Sequence, residues 1–262
     1  MAAIARIRKS VLNLALPVTV STLLQRAEGI AAVFLVGGLG AGPIAAVGLG
    51  QLLAFIGITL LSGLSVGTNV LVAQLWGARR TKDAGEAALH LIGLSLIASA
   101  VLALLGLMIN QPAMTALGAQ ADVLAQAIPY SNVIFLVIPI TILIQVLSSI
   151  LQGTGDTKTP MYAMIGVNVL HVLMAYPLIY GKWGAPNWGL QGAAFAVGVA
   201  ESLGAAYLLW SCRTILKRPK TLRLDLIRSA WHIGAPVSGE RVVQQAGVML
   251  YTKIVLFYGT VS

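Results

Sequence analysis

Charge is what this chain has least of. Only 10% of its 262 residues are charged, against 58% hydrophobic, and the mean hydropathy is +0.87. Soluble domains carry roughly 25% charged and 45–50% apolar residues, so a soluble globular fold is excluded. Cysteine occurs once, at Cys212, which rules out an internal disulfide and any cysteine-based metal cluster. The net charge of +9 and a pI near 10 would suit a nucleic-acid binder, but no basic patch is interleaved with aromatics and no nucleic-acid motif occurs. Metal-ligand spacing, a catalytic triad, a phosphate loop and a paired-carboxylate hydrolase signature are missing too, so the chain does not read as an enzyme. Nor are there the short alternating strands that a membrane barrel requires.

Long apolar runs are what the chain does have. A bilayer core of about 30 Å needs about 20 apolar residues per helix. Seven runs meet that length, at about 10–36, 44–76, 83–109, 123–151, 161–180, 190–212 and 230–258. The expected fold class is therefore all-α, a polytopic membrane helix bundle. The second run exceeds what a bilayer needs and should tilt or bend, and its Gly57, Gly63 and Gly67 favour close helix contact. Asn110, Gln111 and Pro112 are expected to end the third helix, Pro129 and Pro139 to kink the fourth, and Pro160 to open the fifth. Trp183 and Trp188 mark an interfacial loop. The basic start (Arg6, Arg8, Lys9) followed by an apolar run resembles a signal peptide, but the run is too long and lacks a small-residue cleavage site, so it is read as a retained first helix.

The stretch from Leu14 to Gly42 returns in altered form near the C-terminus. Shifted by 219 positions, Pro17 falls on Pro236, Val18 on Val237, Gln25 on Gln244, Ala27 on Ala246, Val36 on Val255 and Gly40 on Gly259. Residues 1–218 are accordingly expected to form one six-helix lobe. Residues 219–262 are expected to hold a connector, lying on the membrane surface, and the first helix of an incomplete second lobe. The missing lobe, or another chain, would then be a required partner beside the lipid bilayer. Basic residues agree with this layout: 13 of the 17 fall at the N-terminus or in the segments after the second, fourth and sixth runs. The positive-inside rule then places the N-terminus in the cytoplasm.

Ionisable groups within membrane spans are costly and normally face a cavity or a partner. Glu28, Glu201 and Glu240 are the carboxylates inside spans, and His171 is the histidine deep within one. At 1.5 Å per residue, Glu28 lies roughly 18 Å from Gly40, His171 roughly 15 Å from Gly181 and Glu201 roughly 18 Å from Gly189. Three polar groups on three helices share a level and are expected to line one cavity. Each also has a plainer reading: a structural ion pair for Glu28, a neutral imidazole bonded to a backbone carbonyl for His171, and an interhelical hydrogen bond for Glu201. Arg26 sits about 200° around the helix from Glu28 and needs another partner or polar surroundings. Glu240 neighbours Arg241 near the interface, while Arg241 and Lys253 are expected to snorkel.

Four motifs in order, GLGAGPIAAVGLG (38–50), VAQLWGARR (72–80), QGTGDTKTP (152–160) and WGLQGAAFA (188–196), resemble the multidrug and toxic compound extrusion (MATE) transporters along essentially the whole chain. The resemblance implies twelve helices in two lobes and export of cationic or amphipathic small molecules against inward H⁺ or Na⁺, with no cofactor beyond that ion. At the position of the family's acid in the first helix stands Ala32, with Glu28 one turn earlier. In the fifth helix, Asn168, His171 and Ala175 stand where two asparagines and an acid are frequent, and Glu240 matches a glutamate of the seventh. The loss of oxygen ligands favours H⁺ over Na⁺ coupling. A lipid-linked oligosaccharide or polysaccharide flippase of the same superfold is the alternative, calling for a more cationic cavity, for which only Arg26 speaks. A truncated, non-transporting membrane fragment is the third.

Overall fold

The computed structural model describes the backbone of residues 2–217 and 223–259, and the side-chain surroundings of residues 8, 11–217 and 223–247. The described residues form seven α-helices and one short 3₁₀ turn, with no strand among them. In order these are α1 (Ala2–Val36), the turn Gly37–Leu39, α2 (Ala41–Gly77), α3 (Thr81–Ala116), α4 (Ala121–Gly153), α5 (Lys158–Tyr180), α6 (Gly189–Cys212) and α7 (Leu224–Gly259). Six of them, α1 to α6, are long and apolar enough to cross a membrane, and the chain is a multi-pass membrane protein. Among the described residues α7 falls outside that set, and its side chains are described only as far as residue 247. Lys253 and the basic residues Arg218 and Lys220 of the connector lie outside the described side chains, as does the expected lobe boundary at 218–219.

The helix boundaries follow local chemistry. Gly40, at φ +110°, lets the chain reverse between α1 and α2 in a conformation that a side chain would resist. Asp156 caps α5: its carboxylate accepts from the Lys158 and Thr159 amides at 3.2 and 3.0 Å and from the Thr159 hydroxyl at 2.6 Å. Pro160 then sits in the first turn of α5, where its missing N–H costs nothing.

The expected break at Asn110–Pro112 is corrected by the structure, because α3 continues through Pro112 to Ala116. Asn110 is buried and donates to the Ile128 carbonyl at 3.3 Å, to Ser131 Oγ at 2.8 Å and to Asn132 Oδ1 at 2.8 Å, all on α4. These bonds to a neighbouring helix hold α3 in register across the proline, whose local cost they offset.

α4 is the central helix, packed on α2, α3 and α6. One apolar cluster joins Ile142, Leu147 and Ile150 of α4 to Val72, Ala88, Val167 and Leu208 on four other helices. A second, nearer Gly40, joins Val36, Val47, Met114, Tyr130 and Ile179. Small residues set the spacing: Gly106 faces the Phe135 ring, and Gly192 lies on the Leu178 backbone. Large apolar side chains such as Ile97, Leu104 and Met108 point outward, as a lipid-facing surface requires.

α7 docks on α2 and α3 rather than standing apart. Gly63 of α2 meets the backbone of Gly234, and Gly67 meets that of Ala230. Ser238 bridges the pair, accepting from the Gly63 N–H at 3.1 Å and donating to the Leu60 carbonyl at 2.9 Å. Arg223, just ahead of α7, reaches Asp83 at 3.3 Å and Asp225 at 2.9 Å. That guanidinium holds the Asp225 carboxyl below the usual carboxylate range.

Candidate functional site

Glu28 on α1 and Glu201 on α6 sit on neighbouring helices, with no hydrogen bond between them among the described residues. The two helices touch directly, and the carboxyl groups lie within Coulombic reach of one another. Glu201 is buried and accepts a hydrogen bond from the Thr141 hydroxyl of α4 at 2.5 Å. Glu28 is half-buried, and its Oε1 is sealed from solvent with no hydrogen-bond partner among the described residues. A carboxyl pair spanning α1 and α6, held from the side by α4, can accept or release a proton, and the change in charge then falls on two helices at once.

The other expected members are placed differently. His171 of α5 is fully buried, and neither ring nitrogen finds a hydrogen-bond partner among the described residues. Asn168 turns back on its own helix, donating to the Met164 carbonyl at 2.9 Å. Arg26 is exposed, its guanidinium 5.6 Å from the centre of the Phe55 ring on α2. Glu240 and Arg241 are exposed on α7, and neither is in an ion pair among the described residues. Ala32 and Ala175, where the resemblance leads one to look for acids, are packed at 3% and 0% exposure and offer a cation no side-chain oxygen.

A cavity of about 530 Å³ lies away from this pair, towards the end of the bundle that carries the basic loop Arg79–Lys82. Its lining includes Val11, Leu14 and Val18 of α1, Asn69 of α2, and Gln152 and Thr157 around the α4–α5 turn. None of the six expected site residues lines it. Sequence reasoning missed Thr141, which could have been found from its depth: it is an isolated hydroxyl two residues beyond Pro139 in an otherwise apolar stretch.

Comparison with known proteins gives a consistent answer. The MatE family model matches residues 17–177. A probable multidrug resistance protein NorM of Thermotoga maritima is 28% identical over 98% of this chain and 56% of its own length. The multidrug resistance protein PmpM of Pseudomonas aeruginosa is 27% identical over 82% of this chain and 45% of its own. A crystal structure of MATE in the bent conformation superposes with a TM-score of 0.85 at 27% identity, covering 95% of this chain and 56% of that one. An outward-facing MATE family transporter superposes at 0.84 with 25% identity, covering 95% and 56%. The chain spans about half the length of the curated relatives it matches.

Proposed function

Because the chain belongs to the MatE family, we propose that it is part of a secondary antiporter that exports amphipathic small molecules across the bacterial inner membrane, driven by inward H⁺. In this reading the N-terminus and the Arg79–Lys82 loop face the cytoplasm, as the distribution of basic residues favours. The lobe of α1 to α6 works against a second lobe by alternating access, the mode of repeat-built carriers. The similarity to multidrug resistance proteins supplies the drug-export element of the reading, and the two carboxyls supply the coupling element.

The observation that carries it is that Glu28 and Glu201, on the touching helices α1 and α6, lie close enough to interact electrostatically. Proton release from the pair leaves like charges facing each other between two helices, while protonation relieves that repulsion. The protonation state therefore biases how α1 packs on the lobe, and an outward-facing or inward-facing preference follows. Thr141 fixes the Glu201 carboxyl by donating its hydroxyl to it. Sodium is the weaker candidate, because Ala32 and Ala175 leave few oxygens in the place the family uses.

The test is dye efflux by the full-length gene product in everted membrane vesicles under an imposed pH gradient. Glu28→Gln and Glu201→Gln are each expected to lower pH-driven efflux at least tenfold, and Thr141→Val to lower it less. Exchanging Na⁺ for K⁺ should leave the rate unchanged. Efflux that survives both glutamine substitutions overturns the assignment.

A further inference from the structure

Arg26 lies midway along the candidate span Val11–Leu39, yet it is exposed. It shares one face of α1 with Leu23, Ile30 and Phe34, at helical spacings of three, four and four, and all three of these are more than 60% exposed. An apolar face with one guanidinium at its centre is ill suited to lipid, because an arginine at mid-bilayer depth costs several kcal/mol. No carboxylate among the described residues pairs with it. Glu28 lies about 200° around α1 from Arg26.

Phe55, on α2, is the aromatic neighbour of Arg26. The guanidinium carbon stands 5.6 Å from the ring centre, within cation–π range, and the ring itself is 37% exposed. Both residues lie roughly 20 Å along their helices from the Gly40 turn, so the contact joins α1 to α2 at mid-depth. No hydrogen bond engages the Arg26 guanidinium among the described residues, and its planar fork of N–H donors matches a carboxylate or sulfonate.

We propose that Arg26 and Phe55 form a substrate subsite for amphipathic aromatic compounds that carry an anionic group, the anion pairing with Arg26 and the apolar body lying along Ile30, Phe34 and Phe55. This rests on the export reading above and narrows its substrate class: a purely cationic compound gains nothing at this level, whereas a zwitterionic or anionic one does. The carboxyl pair and the subsite then divide the work, with the proton handled between α1 and α6 and the substrate's negative charge handled between α1 and α2.

The experiment uses two probes of one shape, rhodamine B with its free carboxylate and the rhodamine B methyl ester without it, transported by the full-length protein in proteoliposomes. Arg26→Gln is expected to lower transport of the free acid by roughly tenfold or more, the usual effect of losing a charge-assisted hydrogen bond, and to leave the ester within about twofold. Phe55→Leu, which keeps the arginine but removes the ring beside it, is expected to reduce the ratio of acid to ester in the same direction. Should Arg26→Gln not fold, the Phe55→Leu ratio still decides. The proposal is overturned if the ratio is unchanged in both variants. It is also overturned if acid and ester fall together, which is the result expected when Arg26 instead pairs with a carboxylate elsewhere in the protein. Failure of the unaltered protein to move either dye overturns the export reading itself, and the subsite with it.

Discussion

Gly63→Ala is the most direct probe of how α7 is held. A methyl group added at Gly63 runs into the carbonyl of Gly234 and the hydroxyl of Ser238, both on α7. The carbonyl is backbone and cannot rotate away, so α7 has to back off by about 1 Å in an interior packed as tightly as a crystal. That displacement strains two hydrogen bonds, the Gly63 N–H to Ser238 Oγ at 3.1 Å and the Ser238 hydroxyl to the Leu60 carbonyl at 2.9 Å. Overpacking costs about 1–3 kcal/mol and each weakened bond up to about 1 kcal/mol, while alanine returns up to about 1 kcal/mol of helix propensity. The net expectation is a loss of roughly 2–4 kcal/mol. Gly48→Ala, on the same helix, is the control: nothing lies within 4 Å of its added methyl, so only the propensity gain remains. Reversible unfolding of the purified protein by SDS titration, followed by tryptophan emission with Trp231 on α7 as a reporter, measures both. If the two alanine variants agree within about 0.5 kcal/mol, the backbone contact between α2 and α7 does not carry the docking.

Two further outcomes concern α3. Asn110→Leu removes the bonds to Ile128, Ser131 and Asn132, so it should destabilise the bundle by about 2–3 kcal/mol and raise hydrogen exchange in the turn from Pro112 to Ala116; unchanged protection there would mean that the polar network does not hold the helix across its proline. Arg223→Ala should speed hydrogen exchange over residues 224–230 at neutral pH by releasing the start of α7 from Asp83 and Asp225, and exchange equal to that of the unaltered protein refutes the link. In the unaltered protein this protection has a pH window set by the Asp225 carboxyl, whose pKa is depressed. It is fully present above the ordinary carboxylate value of about 4 and is lost as pH falls through the lower folded value.

How far the sequence reached differs from element to element. The first six apolar runs all appear as helices, each end within about ten residues of its expected place. Such runs are legible because a buried backbone in lipid must satisfy its own hydrogen bonds, leaving apolar length as a local and sufficient signal. The echo of Pro17 in Pro236 was equally readable, and both prolines lie inside helices, α1 and α7. Pro112 was read as a stop on local grounds alone, since Asn110's partners lie 18 to 22 residues away and only packing brings them close.

The site divides along the same line. Residue type and depth along a helix picked out Glu28, Glu201, His171 and Arg26, because an ionisable group in an apolar span is visible in the sequence itself. Which of them meet depended on how each helix is rotated about its axis and which neighbour it packs against. Rotation set Arg26 against Phe55 and Glu28 within electrostatic reach of Glu201, brought Thr141 in from α4, and left His171 enclosed without a hydrogen-bond partner among the described residues. Apolar length and charge determined that this chain spans a membrane and where its costly groups lie. Only the tertiary structure decided which of those groups face one another, because adjacent positions on a helix differ by about 100° and small residues such as Gly63 and Gly192 set which faces come into contact.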